Sequence, residues 1–228
     1  MAADYKPYVT VVAPCYNEEA ILELNINTIA AYMQQKQDKY NWEILIINDG
    51  SKDKTGPIAN ELAKNSNGKI RVVHHPTNLN LGNAMKTGFA NAAGDIIVVM
   101  DIDLSYDTSN IETMVDRLLE KNADMVIASP YMKGGKVTAV PFQRRIMSRW
   151  VNRFMQFAAQ DKYHTFTGMV RAYKKSFIQT VNLKTKDYEI CPEIMYKAMI
   201  LRARVEEIPS HLDWTEQNKF AGQRTSSL

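Results

Sequence analysis

Two aspartates separated by one residue, Asp101 and Asp103, follow an apolar run in the stretch GDIIVVMDIDLSYD. Side chains two residues apart in an extended segment point to the same side, so we expect both carboxylates to face one cavity. A hard divalent cation, Mg²⁺ or Mn²⁺, would relieve their repulsion and would also bind phosphate oxygens. Alternatively, Asp103 caps the next turn and Asp101 is merely solvated. The pair therefore predicts a metal site or an ordinary turn.

Three other segments carry groups suited to binding a nucleotide. In APCYNEE, Pro14 ends a strand, Tyr16 offers an aromatic face to a base, and Glu18 can accept from a base or a ribose hydroxyl. In INDGSKD, Asp49 can accept a base N–H, although the same letters also make a good turn. In LNLGNAMKTG, Lys86 follows a glycine-bearing entry into a helix. The glycine-rich nicotinamide motif and the phosphate-binding loop motif are both absent, which disfavours those sites.

Hydrophobic periodicity places these segments at the ends of strands. The predicted strands lie at 8–14, 42–49, 69–75, 94–107 and 123–129, and the predicted helices at about 18–37, 58–64, 82–94 and 110–121. Alternating strands and helices predict an α/β fold, Rossmann-like, with a mostly parallel sheet and helices on both faces. Ligands gather at the carboxyl ends of strands in such sheets. We therefore expect the acidic residues to converge at one edge.

The composition is that of an ordinary globular protein. The protein has 228 residues, 45% hydrophobic and 23% charged, with a formal net charge of +3. This charge is too weak to indicate nucleic acid. The two cysteines, Cys15 and Cys191, have no metal-ligand spacing and favour a reducing compartment. No signal peptide and no run of eighteen apolar residues is present. We predict a single domain over 1–228.

In this order, P-x-Y-N-E, NDGS, LG-x-A-x-x-x-G and D-x-D resemble the nucleotide-sugar half of family 2 glycosyltransferases with the GT-A fold. The resemblance covers roughly residues 8–209. The segments MDIDLS, SPYMKGGKV and TGMVRAYKK look most like those of polyprenyl-phosphate (dolichyl-phosphate-mannose-type) sugar synthases. The resemblance implies a metal-dependent, inverting enzyme that moves a sugar from a GDP- or UDP-sugar to a polyprenyl phosphate. Residues of about 1–128 would bind the donor and residues of about 129–228 the acceptor.

The resemblance also assigns roles to individual residues. The implied donor contacts are Pro14, Tyr16, Glu18, Ile47, Asp49, Lys86, Asp101, Ile102 and Asp103. Asp103 would hold the metal with Asp101 and Ser105. Ser105 stands at a position where the family often has Gln. In the segment that usually reads Gly-Ser-Arg-Tyr, Pro130 replaces the phosphate-directed arginine. What replaces that arginine stays open.

Further residues are candidates for catalysis. Arg171, in TGMVRAYKK, is expected to stabilise the charge of the leaving diphosphate, unless it is simply a surface arginine. A phosphate acceptor is already an anion and needs no general base. A hydroxyl acceptor would need one, and the candidates are Asp187, Glu189 and Glu193, of which Glu193 matches a glutamate of the family.

The segment 141–157 combines an apolar stripe with a basic stripe at helical spacing. The apolar stripe is Phe142, Ile146, Trp150, Phe154 and Phe157, and the basic stripe is Arg145, Arg149 and Arg153. This pattern suits an anionic membrane surface or a polyprenyl phosphate, which Arg145, Arg149 and Arg171 would contact. Alternatively, the stripe packs on the domain and the arginines are solvated. We expect a cytoplasmic protein at the cytoplasmic face of a membrane. Whether a membrane-spanning segment follows residue 228 is open.

Three other functions remain to be weighed. A glycosyltransferase could act on a sugar hydroxyl in polysaccharide, glycolipid or cell-envelope assembly. A nucleotidyltransferase would usually open with Gly-x-Gly-x-Arg at the first strand end, where this chain has APCYNEE. A non-catalytic module could bind a nucleotide sugar, although both Asp101 and Asp103 are intact.

Overall fold

The computed structural model describes residues 6–159 and 162–215, and their strands form one large sheet and one small one. The strands are β1 Tyr8–Cys15, β2 Asn41–Asn48, β3 Ile70–His74, β4 Ile96–Val99, β5 Met125–Ser129, β6 Lys136–Thr138, β7 Arg171–Lys174, β8 Val205–Pro209 and β9 His211–Asp213. The helices are α1 Leu22–Gln35, α2 Thr55–Asn65, α3 Leu81–Asn91, α4 Ser109–Glu120, α5 Phe142–Ala159, α6 Lys175–Ile178 and α7 Ile190–Ile200.

The large sheet has seven strands in the order β3-β2-β1-β4-β7-β5-β8. Only β7 is antiparallel to its neighbours, β4 and β5, while the other pairs are parallel. The predicted mostly parallel α/β sheet is therefore confirmed. The predicted acceptor-side half runs to residue 228, of which residues 216–228 lie outside the described part.

Alternation along the central strands supplies two hydrophobic cores. In β1, Val11 and Ala13 enter one core, which α1 and α4 cover, while Val12 enters the other, which α3 and α7 cover. Both sides of the strand are buried, which explains why its sequence is a nearly continuous apolar run. Helices therefore lie on both faces of the sheet, as predicted.

At the candidate site, the predicted first helix and the predicted fourth strand each extend beyond the observed element. α1 begins at Leu22 and not at Glu18, because residues 16–21 form a loop in which the carbonyl of Glu18 accepts the N–H groups of Ile21 and Leu22. β4 ends at Val99, eight residues before the predicted limit. In both places the extra residues belong to the rim that carries the candidate site.

The acceptor-side part adds a long helix and a small sheet. α5 confirms the helix predicted over 141–157, and β6 pairs with β9. Asn152, only 2% exposed, fixes α5 by accepting the N–H of Phe166 at 2.6 Å and donating to Thr167 Oγ1 at 3.1 Å. Within 6–159 and 162–215, no helix combines the length and the hydropathy needed to cross a bilayer.

Candidate active site at the carboxyl ends of the strands

The loops after β1 and β2 are hydrogen bonded to each other. Asn17 donates its N–H to Ser51 Oγ at 3.0 Å, and its side-chain oxygen accepts the N–H of Lys52 at 2.9 Å. The N–H of Glu18 donates to Thr55 Oγ1 at 2.8 Å. These reciprocal bonds join the segment that holds Pro14, Tyr16 and Glu18 to the segment that follows Asp49. The two predicted nucleotide-binding loops therefore form one rim.

Asp49 lies at the end of β2 and is held by partners that the sequence did not reveal. Its Oδ1 accepts from His75 Nδ1 at 2.6 Å and from the N–H of Leu79 at 2.9 Å. The other ring nitrogen of His75 lies 2.9 Å from Thr87 Oγ1. His75 follows β3, so the only available signal was a polar residue at a strand end, which many turns share.

The turn after β4 carries Asp101 and Asp103. The N–H of Leu104 donates to the carbonyl of Asp101 at 3.2 Å, and Leu104 has φ +52. Asp103 Oδ1 accepts the N–H of Ser105 at 2.9 Å. The prediction that the two aspartates share an extended segment is therefore wrong, because the strand has ended and a turn places them. The argument from strand alternation does not apply here.

The strand pairing nevertheless brings the carboxyl ends of β1, β2 and β4 to one edge of the sheet, because β1 is parallel to both of its neighbours. Burial first, and then Asp101 and Asp103 among the neighbouring charges, raise the pKa of the Tyr106 hydroxyl. Partial burial and nearby carboxylates, Asp101 and Glu18 among them, raise the pKa of Tyr188. One carboxylate from the β4 end and one from the β1 end therefore act on the same hydroxyl. This convergence at the sheet edge is what the strand order predicted.

The two aspartates suit a cation that completes its coordination with a ligand. Within the described residues no three His, Cys, Asp or Glu side chains form a metal-binding group. Mg²⁺ and Mn²⁺ use hard oxygen ligands, and Mg²⁺ in particular is usually bound by one or two carboxylates plus phosphate oxygens and water. Asp101 and Asp103 supply such a pair on one turn. Ser105, only 4% exposed, contributes its N–H to Asp103, and its metal role stays a prediction.

Lys86 is occupied in holding a strap of chain, residues 184–188, against the start of α3. Its Nζ donates to the carbonyl of Thr185 at 2.9 Å. The N–H of Asn83 donates to the carbonyl of Lys186 at 3.3 Å. A Cβ on Gly82 would lie 2.5 Å from the carbonyl carbon of Lys186, so only glycine permits this approach. A direct contact of Lys86 with the donor stays a prediction.

Glu193 secures the other side of the same strap. Its carboxylate accepts the N–H groups of Lys184 and Thr185, the Thr185 hydroxyl and the ammonium of Lys197. Burial opposes ionisation, but these donors outweigh it and hold the pKa of Glu193 at about 2. A carboxylate with this pKa and these partners is a poor proton acceptor. The prediction of Glu193 as a general base is therefore wrong.

Arg171, Ile47 and Ile102 are predicted site residues whose side chains are buried in the protein. Arg171 has no exposed surface, and its guanidinium donates to the carbonyls of Cys191 at 3.0 Å and Phe166 at 2.6 Å. It is neither a surface arginine nor placed to contact a phosphate, so both expectations are corrected. The side chains of Ile47 and Ile102 pack in the two hydrophobic cores, and their contact with the donor stays a prediction.

The apolar stripe of α5 faces away from the domain. Trp150 and Phe154 are each 70% exposed and Phe157 is 82% exposed, while Phe142 and Ile146 are also exposed. The alternative that this stripe packs on the described part of the domain is therefore wrong.

α5 also carries four arginines. The helix contains Arg144, Arg145, Arg149 and Arg153 and no acidic residue. The Arg144 guanidinium lies 5.3 Å from the centre of the Trp214 ring. Tyr131, next to Pro130, donates to Ser148 Oγ at 2.8 Å and so ties α5 to the end of β5. The helix that carries these arginines is therefore attached to the segment that lacks the expected arginine.

Comparisons with known proteins identify the family to which the chain belongs. The family model described as Glycosyl transferase family 2 matches residues 10–181. A dolichol-phosphate mannosyltransferase of Pyrococcus furiosus is 31% identical over 204 residues, which is 88% of this chain and 55% of that protein. A polyprenol monophosphomannose synthase of Mycolicibacterium smegmatis is 28% identical over 95% of this chain and 81% of that protein. The chain thus spans about half the length of the first relative.

Solved structures share the fold. Glucosyl-3-phosphoglycerate synthase from Mycobacterium tuberculosis, in complex with Mn²⁺, UDP and phosphoglyceric acid, superposes with a TM-score of 0.68 at 18% identity. The match covers 91% of this chain and 69% of that one. A mannosyltransferase from Pyrobaculum calidifontis, in complex with GDP-Man and Mn²⁺, gives 0.61 at 18% identity over 91% and 57% of the two chains. At these identities the likeness concerns the fold alone.

Proposed function

Since the chain belongs to glycosyl transferase family 2 and has the GT-A fold, we propose that it transfers a sugar from a nucleoside diphosphate sugar to a polyprenyl phosphate. The names of two relatives, a dolichol-phosphate mannosyltransferase and a polyprenol monophosphomannose synthase, support this acceptor class. Residues of about 1–128 would hold the donor, and the later residues, with α5, the acceptor.

The observation that carries this proposal is the convergence of acidic groups at one edge of the sheet. Glu18 follows β1, Asp49 follows β2, and Asp101 and Asp103 follow β4. Hydrogen bonds join the loops after β1 and β2 to each other. Tyr16 would stack on the base, Asp49 would accept a base N–H, and Glu18 would accept from the ribose. Asp101 and Asp103 would then lie beside the diphosphate.

The aspartate pair would hold Mg²⁺ or Mn²⁺, as the oxygen donors and their number suit such an ion. The bound ion would act as a Lewis acid that stabilises negative charge on the leaving diphosphate. The two solved relatives were both crystallised with Mn²⁺, which agrees with a divalent ion without fixing which one this chain uses. Asp103 would take part in holding this ion, and the N–H of Ser105, which donates to its Oδ1 at 2.9 Å, would help to fix its position.

A phosphate acceptor is consistent with the state of Glu193, one of the three candidate bases. Glu193 is saturated with donors and has a pKa of about 2, so it is unsuited to removing a proton from a hydroxyl. A polyprenyl phosphate is an anion and attacks the anomeric carbon without a base. The expected stereochemical outcome of a direct attack is inversion.

The exposed face of α5 would bring the enzyme to its lipid acceptor. Aromatic and aliphatic side chains on that face would enter the headgroup region of a bilayer, and the arginines would attract anionic lipids. Arg145 and Arg149 are the candidates for the phosphate of the acceptor, because Arg171 is buried. We therefore propose peripheral attachment at the cytoplasmic face of a membrane.

An assay with matched acceptors tests this function. Purified protein is incubated with Mn²⁺, a radiolabelled GDP- or UDP-sugar and either polyprenyl phosphate or the corresponding polyprenol, which lacks only the phosphate. We expect transfer to the polyprenyl phosphate alone, and loss of transfer in Asp103→Asn. Transfer to the polyprenol, or transfer to neither lipid, would contradict the proposed acceptor.

A further inference from the structure

Asp49 and His75 form a buried pair beneath the rim of the donor site. Their side chains are 5% and 8% exposed, and the Nδ1–Oδ1 distance is 2.6 Å. A carboxylate can only accept, so the ring nitrogen at this contact carries the hydrogen. The N–H of Leu79 donates to the same oxygen at 2.9 Å. Both donors therefore use Oδ1, and no hydrogen bond among the described residues uses Oδ2.

His75 is itself held in a single orientation. Its N–H donates to the carbonyl of Asn48 at 2.9 Å, which fixes the backbone beside the end of β2. The Thr87 hydroxyl, on α3, lies 2.9 Å from Nε2 and can donate to it. Gly50 has φ +68, and a Cβ there would lie 2.1 Å from the carbonyl carbon of Thr77, so the two loops are in close contact. The ring cannot rotate without breaking one of these contacts.

We propose that His75 is a positioning residue for nucleobase recognition, which acts by fixing Asp49 so that Oδ2 alone is left to accept from the base. This inference rests on the proposed function, because it assumes that the rim binds a nucleotide. His75 acts through Asp49 and does not touch the base. A series of hydrogen bonds thus runs from Thr87 on α3 through His75 to Asp49, which would contact the base.

If only Oδ2 of Asp49 accepts from the base, the site should favour one type of base over another. Uracil and thymine present one ring N–H, at N3, which one carboxylate oxygen satisfies. Guanine presents N1–H and an exocyclic amino group side by side, which a carboxylate meets best with both oxygens. Oδ1 already accepts two hydrogen bonds, so the second guanine donor would be left without a partner, at a cost in affinity. The site is therefore suited to a uridine-type nucleotide.

Two substitutions separate the contacts of His75. His75→Asn places an amide nitrogen where Nδ1 lies and so keeps the bond to Asp49, while the contact with Thr87 is lost. His75→Gln reaches the position of Nε2 and keeps the contact with Thr87, while the bond to Asp49 is lost. His74→Gln is the matched control, because His74 is exposed and contacts Asn48 and Asn60 and not Asp49. Each variant is first checked for a wild-type melting temperature.

Binding is measured calorimetrically for UDP, GDP and inorganic pyrophosphate, each with Mn²⁺. We expect wild type to bind UDP about tenfold more tightly than GDP, which corresponds to about one lost charge-assisted hydrogen bond. His75→Gln should weaken UDP about tenfold, whereas His75→Asn and His74→Gln should stay within about threefold of wild type. Pyrophosphate, which has no base, should bind all four proteins equally.

The outcomes are distinct. GDP binding as tightly as UDP would overturn the inference, as would equal UDP affinity for His75→Asn and His75→Gln. A parallel loss of pyrophosphate binding would show a general structural role of His75 and would also overturn it. If wild type binds pyrophosphate and no nucleotide, or none of the three, the proposed function fails and base recognition fails with it.

Discussion

Three exposed aromatic residues of α5 should control attachment to a membrane. The change is the triple substitution Trp150→Ala, Phe154→Ala and Phe157→Ala. These side chains are 70%, 70% and 82% exposed. Aromatic side chains bury roughly 150–250 Å² each, so each one offers roughly 100–200 Å² to a bilayer. At about 25 cal/mol per Å², full transfer of one would contribute about 2.5–5 kcal/mol.

A helix at the headgroup level inserts only part of that surface. Taking about half of the lower value gives about 1.25 kcal/mol per ring, or about 3.75 kcal/mol for the three. Since every 1.4 kcal/mol is about tenfold, the triple variant should bind vesicles about 500-fold more weakly. Because the residues are exposed, the free energy of unfolding should change by less than about 1 kcal/mol.

The assay is co-flotation with vesicles that contain phosphatidylglycerol, compared with vesicles of phosphatidylcholine alone. Leu24→Ala is the control, because Leu24 is 67% exposed and lies on α1. It should leave vesicle binding unchanged. Unaltered flotation of the triple variant would refute the membrane role of α5. A large loss of unfolding free energy would instead show that the stripe is covered by protein.

Three further changes have defined outcomes. Asp103→Asn should remove the extra thermal stabilisation that a nucleoside diphosphate gives in the presence of Mn²⁺, with the melting temperature of the free protein unchanged; persistence of that stabilisation would exclude Asp103 as a ligand. Glu193→Gln should cost about 2 kcal/mol of unfolding free energy at pH 7, because a neutral amide replaces the charged acceptor of Thr185 and Lys197. The pKa of Glu193 is lowered on folding from 4.5 to about 2, so its stabilisation is present above about pH 5 and is lost as the pH falls towards 2. Urea melts at pH 3 to 7 should show the difference from wild type shrinking with acidity, and a constant difference would contradict it. Arg171→Met should destabilise the fold by about 3 kcal/mol, because the carbonyls of Cys191 and Phe166 lose their partner; a variant as stable as wild type would show that this buried cation is dispensable.

The sheet was predictable from sequence because its strands are buried on both sides. β1 and β2 are nearly continuous apolar runs, and helices separate them. β1 runs one residue past Pro14, which was expected to end it, and β2 ends at the NDGS turn. The chain order then brings Glu18, Asp49 and Asp101 to one edge without further information. This topological step needs only the rule that parallel strands end on the same side.

The local geometry of the site was not predictable to the same degree. The turn at Asp101 depends on a left-handed Leu104, a conformation that no sequence pattern requires of leucine. The partner of Asp49, His75, is distant in sequence and meets it only after β2 and β3 pair. Arg171 was read as a functional cation because the sequence cannot show that β7 inserts between β4 and β5 and buries it. Long-range pairing decides the cases of His75 and Arg171.

One titration tests most directly whether the acidic rim binds a nucleoside diphosphate through a cation. UDP is titrated into the protein with Mn²⁺ and, separately, with EDTA, for wild type and for Asp103→Asn. We predict that Mn²⁺ strengthens binding to wild type at least about tenfold and has no effect on the variant. Equal affinity of wild type with Mn²⁺ and with EDTA would contradict the assignment of Asp101 and Asp103 as the metal site.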